Sequence, residues 1–67
     1  MNTRKTWKQA REEKGMKQVE VAEKLGMSRE LYNMKENYKR AISTVEALQL
    51  EKILNVDIHD IILEKRE

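Results

Sequence analysis

The chain has 67 residues, with 14 Lys and Arg against 12 Asp and Glu, one His, no Cys and no Pro. Such a length allows a single domain over residues 1–67, with a core worth only roughly 3–5 kcal/mol and no volume for a substrate cavity. The lack of cysteine rules out disulfides and thiolate metal sites and fits a reducing cytoplasm.

No apolar run nears the roughly 18 residues of a membrane span, and Met1-Asn2-Thr3-Arg4-Lys5 lacks the apolar stretch of a signal peptide, so a soluble, unprocessed cytoplasmic protein is expected. The net charge of +2 hides an asymmetry. Residues 1–40 hold eleven Lys/Arg against six Glu, a balance of +5, whereas residues 41–67 hold three against six acids, a balance of −3. A basic half suits a polyphosphate partner, and the acidic end should point away from it.

With no proline, glycine only at 15 and 26, and apolar residues at helical intervals, the chain reads as all-α with five helices. The first runs from about Thr3 to Lys14, faces Trp7 and Ala10 inward and stops at Gly15. A second covers about Lys17 to Leu25 and a third about Ser28 to Asn37. Here small Ala22 stands four residues before Gly26, among apolar Val21, Leu25, Met27 and Tyr32. Ala22 lets a second helix cross closely, Gly26 accepts the positive φ of a tight turn, and Ser28 caps the third helix. The result is a helix-turn-helix over about 17–37, whose second helix protrudes far enough to enter a DNA major groove.

A short loop from Tyr38 to Ile42 leads to a fourth helix opened by an S-x-x-E capping box, Ser43 with Glu46. Ala47, Leu50, Ile53 and Leu54 share one side of this helix and Val45 and Leu48 another, so it is expected to pack against two neighbours. Asp57 and Asp60 repeat the cap pattern before a fifth helix with an Ile58, Ile61, Ile62 stripe and Leu63 beside it, and residues 64–67 are expected to fray.

Over Trp7 to Ile62 the residues resemble the lambda-repressor-like helix-turn-helix family of phage and bacterial regulators. The carriers are Trp7-Lys8-Gln9-Ala10-Arg11-Glu12-Glu13-Lys14-Gly15-Met16-Lys17-Gln18, Leu25-Gly26-Met27-Ser28-Arg29, Glu36-Asn37-Tyr38-Lys39-Arg40 and Leu54-Asn55-Val56-Asp57. The resemblance implies a compact five-helix domain that binds double-stranded DNA. It assigns Gln18, beside Lys17 at the start of the second helix, to a phosphate, with the amide as the clamp.

The resemblance also turns Ser28, Arg29, Glu30, Asn33 and Met34 toward the groove. Arg29 suits guanine O6 and N7, Asn33 adenine N6 and N7, and Met34 a thymine methyl. Glu30 either accepts from cytosine N4 or orients Arg29 by an ion pair. Asn37, Lys39 and Arg40 are expected on phosphates. Arg11 and Glu36 match a family ion pair between the first and third helices, a structural role.

Three residues depart from the family pattern. Lys17 stands where Ser or Thr caps the second helix, an unfavourable place for a lysine unless a phosphate binds nearby, so it is counted among the expected DNA contacts. Lys35 fills an apolar slot, so it either snorkels along its stem or the third helix rotates to turn Leu31, Met34 and Tyr38 inward. Tyr38 takes a place usually held by glycine, and must avoid positive φ or adopt it at roughly 1–2 kcal/mol.

His59 is read as a surface residue, and Met16, Met27 and Met34 as core filler and groove contact, with no metal or cofactor expected. The chain is expected to be no enzyme. It reads as a transcriptional repressor forming a weak dimer on a palindromic operator through Ile58, Ile62 and Leu63. The alternatives are an antitoxin or antirepressor-like module whose main partner is another protein, and a structural helical adaptor.

Overall fold

The computed structural model describes residues 4–63. Four α-helices occur in chain order: α1 (Trp7–Lys14), α2 (Gln18–Leu25), α3 (Arg29–Glu36) and α4 (Thr44–Leu54). A single 3-10 turn, Ile58–Asp60, comes after them. Helix α1 begins later than the sequence suggests. Thr6 caps it, taking a hydrogen bond from the Gln9 N–H at 3.1 Å, while the Gln9 side chain receives the Thr6 N–H at 2.9 Å. The expected start at Thr3 and the expected fraying of 64–67 lie outside the described residues.

Each helix ends by bending the chain into the left-handed region, at Gly15 (φ 75°), Gly26 (φ 73°), Tyr38 (φ 64°) and Asn55 (φ 54°). At Gly26 its N–H reaches the Glu23 carbonyl and the Met27 N–H reaches that of Ala22, the paired bonds of a Schellman motif. Tyr38 closes α3 in the same way, its own N–H on the Lys35 carbonyl and the Lys39 N–H on that of Met34. A tyrosine therefore does a glycine's work, at a conformational cost of roughly 1–2 kcal/mol. Its hydroxyl donates to the Ile62 carbonyl at 2.5 Å and its ring packs against the core, which offsets the strain.

The core comprises Trp7, Ala10, Val21, Ala22, Tyr32, Ala47, Leu50, Leu54 and Ile61, all buried. Helix α3 packs chiefly on α2, and α4 on α2, α1 and the 3-10 turn. Ala22 is buried between helices, the close approach that a small side chain permits. Helix α4 thus meets more than one neighbour, as expected, but not through Val45 and Leu48, which are exposed (64 % and 48 %).

The fifth helix is not formed. Asp57 does cap the chain there, accepting the His59 N–H at 2.9 Å, but only one 3-10 turn follows. The backbone then straightens so that Lys5 and Ile61 form a parallel bridge, with Lys5 N–H to the Asp60 carbonyl at 3.0 Å and Ile62 N–H to the Lys5 carbonyl at 2.8 Å. β-Branched Ile61 and Ile62 suit extended backbone, and this path drives Ile61 into the core.

The Tyr38 hydroxyl thus joins the end of α3 to the paired ends of the domain. Tyr38→Phe, which strands the Ile62 carbonyl, is expected to lower unfolding stability by about 1 kcal/mol in urea titrations. An unchanged midpoint would mean that water replaces the bond freely.

Candidate nucleic-acid interface

Helix α3 presents an open leading end and a locked trailing end. Ser28, extended and exposed, accepts the Leu31 N–H at 3.1 Å. Arg29 and Glu30 follow on the outside, and Tyr32 and Glu36 turn inward to full burial. The helix is therefore not rotated to bury Leu31 and Met34, which stay intermediate. Lys35 snorkels: its ammonium meets Glu46 Oε1 at 2.6 Å, the same oxygen that takes the Ser43 N–H at 3.0 Å. One carboxylate so closes the capping box of α4 and anchors α3, and the Lys35 hydrogen bond holds Glu46 below the usual carboxylate range.

The locked end is built on the buried pair of Arg11 and Glu36. Arg11 Nε donates to Glu36 Oε2 at 2.8 Å and Nη2 to Oε1 at 3.2 Å, a two-pronged contact, while Nη1 reaches the Met16 carbonyl at 2.7 Å in the turn after α1. Burial pushes the Glu36 carboxyl upward, but hydrogen bonds from Arg11 and Gln18 outweigh it and hold the group below its ordinary value. Tyr32 is pushed the other way, raised mainly by burial.

Without DNA, the Gln18 amide is turned inward. Its amide nitrogen donates to Asn33 Oδ1 at 2.9 Å and to Glu36 Oε1 at 3.0 Å, both inside the protein, so neither amide hydrogen is left to clamp a phosphate. At the same helix start the Glu20 carboxylate accepts the Lys17 N–H at 2.7 Å, which supplies part of the cap that Lys17 lacks in its own side chain. Asn33 Oδ1 also receives Asn37 Nδ2 at 3.1 Å, and that nitrogen reaches the Asn33 carbonyl at 2.9 Å. This chain of amides is invisible in the sequence when each residue is read singly. The helical spacing of 33 and 37 is its one available sign.

Arg29 at the open end is exposed, as are Lys17 before α2 and Asn37, Lys39 and Arg40 just past the locked end, whereas Met34 is half-buried. The Arg29 guanidinium lies 3.6 Å from Glu30, both side chains in solvent. Of the three residues expected at a dimer contact, Ile58 packs against the core, Ile62 is half-buried and only Leu63 is exposed.

A family model described as Helix-turn-helix matches residues 8–61. The chain belongs to the lambda-repressor-like helix-turn-helix family. No curated protein and no solved structure gives a significant match. As a helix-turn-helix domain it falls in the class of double-stranded DNA-binding transcription regulators. No helix among the described residues is long and apolar enough to cross a membrane.

Removing one partner of the buried pair strands the other charge, a loss of roughly 3–5 kcal/mol. Arg11→Met is therefore expected to leave the helix-turn-helix domain largely unfolded at 25 °C by circular dichroism. In the parent chain, a carboxyl depressed on folding contributes stability that is complete above the unfolded value of 4.5 and is lost as pH falls through the folded value. Urea midpoints should hold from pH 7 to 5 and then decline toward pH 3. A midpoint that rose on acidification would contradict the ionised state of Glu36.

Proposed function

We propose that the protein is a sequence-specific transcriptional repressor that occupies a palindromic operator as a dimer. One observation carries this reading: the exposed start of α3, Ser28 to Glu30, stands on a helix whose far end is fixed by Arg11 and Glu36, and Lys17 before α2 and Lys39 and Arg40 after α3 are exposed. Arg29 meets guanine O6 and N7, and Met34 lies against a thymine methyl. The 3.6 Å approach of Glu30 to Arg29 supports the orienting role for Glu30 over the cytosine contact.

Lys17, Lys39 and Arg40 neutralise phosphates, helped by the N–H groups of Gln18 and Val19 in the first turn of α2. Two copies read half-sites about 34 Å apart, weakly joined near Leu63 in the absence of DNA. Repression follows from occupancy, with no catalytic step. A second reading, an antitoxin or antirepressor-like module bound mainly to another protein, is favoured by the exposed apolar Val45 and Leu48 on α4.

Selection from a random DNA pool, with affinity measured against salt, tests the proposal. Log affinity should fall steeply with log salt, and Lys39→Ala should weaken all sequences alike while lowering that slope by about 1. Arg29→Ala should relax one base position by roughly 1–3 kcal/mol. A flat salt dependence would remove DNA as the partner.

A further inference from the structure

We infer that Asn33 reads DNA as a donor only, selecting a guanine edge, because Gln18 and Asn37 together occupy both lone pairs of its carbonyl oxygen. The inference rests on the DNA-binding reading and goes beyond it by naming a base and the positioning residues that select it.

The polarity of the amide chain has one origin. Glu36 is ionised and doubly held by Arg11, and a carboxylate can only accept, so the Gln18 atom 3.0 Å from its Oε1 must be the amide nitrogen. The same nitrogen faces Asn33 at 2.9 Å and must donate there too, which fixes the Asn33 atom as its oxygen. A second, independent chain gives the same answer. Asn37 Nδ2 lies 2.9 Å from the Asn33 backbone carbonyl, again a pure acceptor, and 3.1 Å from the Asn33 side-chain oxygen.

A carbonyl oxygen has two lone pairs, and here both are filled. What Asn33 can turn outward is its NH2 group, which donates to no acceptor among the described residues.

Asparagine ordinarily pairs with adenine by giving to N7 and taking from N6. With the accepting half filled, adenine N6 would face a donor, and cytosine N4 likewise. Thymine offers a single acceptor, O4, beside its methyl group, whereas guanine presents O6 and N7, two acceptors side by side, which suit the two hydrogens of one NH2 group. Gln18 and Asn37 are thus positioning residues: they act on the base through Asn33.

The test is selection from a randomised duplex pool with the parent chain and with Asn33→Ala, Gln18→Ala and Asn37→Ala, each checked for folding by circular dichroism. Asn33→Ala identifies the base position that it governs. At that position the parent should prefer guanine over adenine by about tenfold. Gln18→Ala and Asn37→Ala each free one lone pair and should move the preference toward adenine, a change of base identity that a general loss of packing would not produce.

If Gln18→Ala does not fold, exposed Asn37 carries the same comparison alone. Parental preference for adenine or thymine there, a base order unchanged in Asn37→Ala, or no position affected by Asn33→Ala would each overturn the inference while leaving salt-dependent DNA binding intact. Absence of salt-dependent binding by the parent chain would overturn the DNA reading itself, and the inference with it.

Discussion

The ion pair of Arg11 and Glu36 is the constraint on which the remaining architecture depends. Its two members lie 25 residues apart, and Arg11 also grips the Met16 carbonyl, so α1, the turn after it and the end of α3 are fixed by one guanidinium. Through Gln18 the carboxylate reaches the start of α2 as well. In a core this small, a buried pair is weak evidence for added stability, because desolvating two charges offsets most of their attraction. What the pair contributes is direction. It allows one relative placement of three short helices that apolar packing alone would leave free to slide, and each helix is too short to be stable by itself.

The turns complete that placement. Four left-handed residues end the four helices, and two of them are not glycine. Gly15 and Gly26 were recognisable because glycine just past an apolar periodic stretch has a known mechanical use. Tyr38 was not decidable in advance. Whether a tyrosine tolerates positive φ depends on what its hydroxyl and ring find, and here they find the Ile62 carbonyl, contributed by a segment 24 residues later. A local strain is balanced by a distant contact, which no window of neighbouring residues contains.

The same distinction separates what the sequence disclosed from what it hid. Elements set by short-range rules were legible: the caps at Ser28 and Ser43, the stops at Gly15 and Gly26, and inward Trp7, Ala10 and Ala22. The family was legible as well, since its carriers spread over most of the chain. The fifth helix failed because the isoleucine spacing of 58, 61 and 62 fits a helical stripe, while the deciding contact, the bridge from Ile61 to Lys5, joins opposite ends of the domain. Val45 and Leu48 misled for a related reason. An apolar residue on a helix is not obliged to find a partner, and surfaces of small domains retain much apolar area. Lys35 was ambiguous, and the inward partners of Gln18 went unread, because a long polar side chain has several reachable partners, and only the three-dimensional arrangement selects among them.

With Asn33 reading DNA as proposed, the hydrogen-bond directions running outward from Glu36 are a way for so small a domain to preorganise its reading surface. Flexible amides at a protein surface can present either end to a base, and a reader free to invert its polarity discriminates poorly between purines. A carboxylate cannot invert. Held in the charged state by Arg11, it fixes the sense of Gln18, and Gln18 fixes Asn33, so chemical orientation is carried from the fully buried Glu36 side chain to a half-exposed one without a large core to brace it. On the proposed role of Asn33, stability and recognition share a single charged group. On that proposal, the buried carboxylate supplies what an apolar side chain of similar volume cannot, a fixed hydrogen-bond direction.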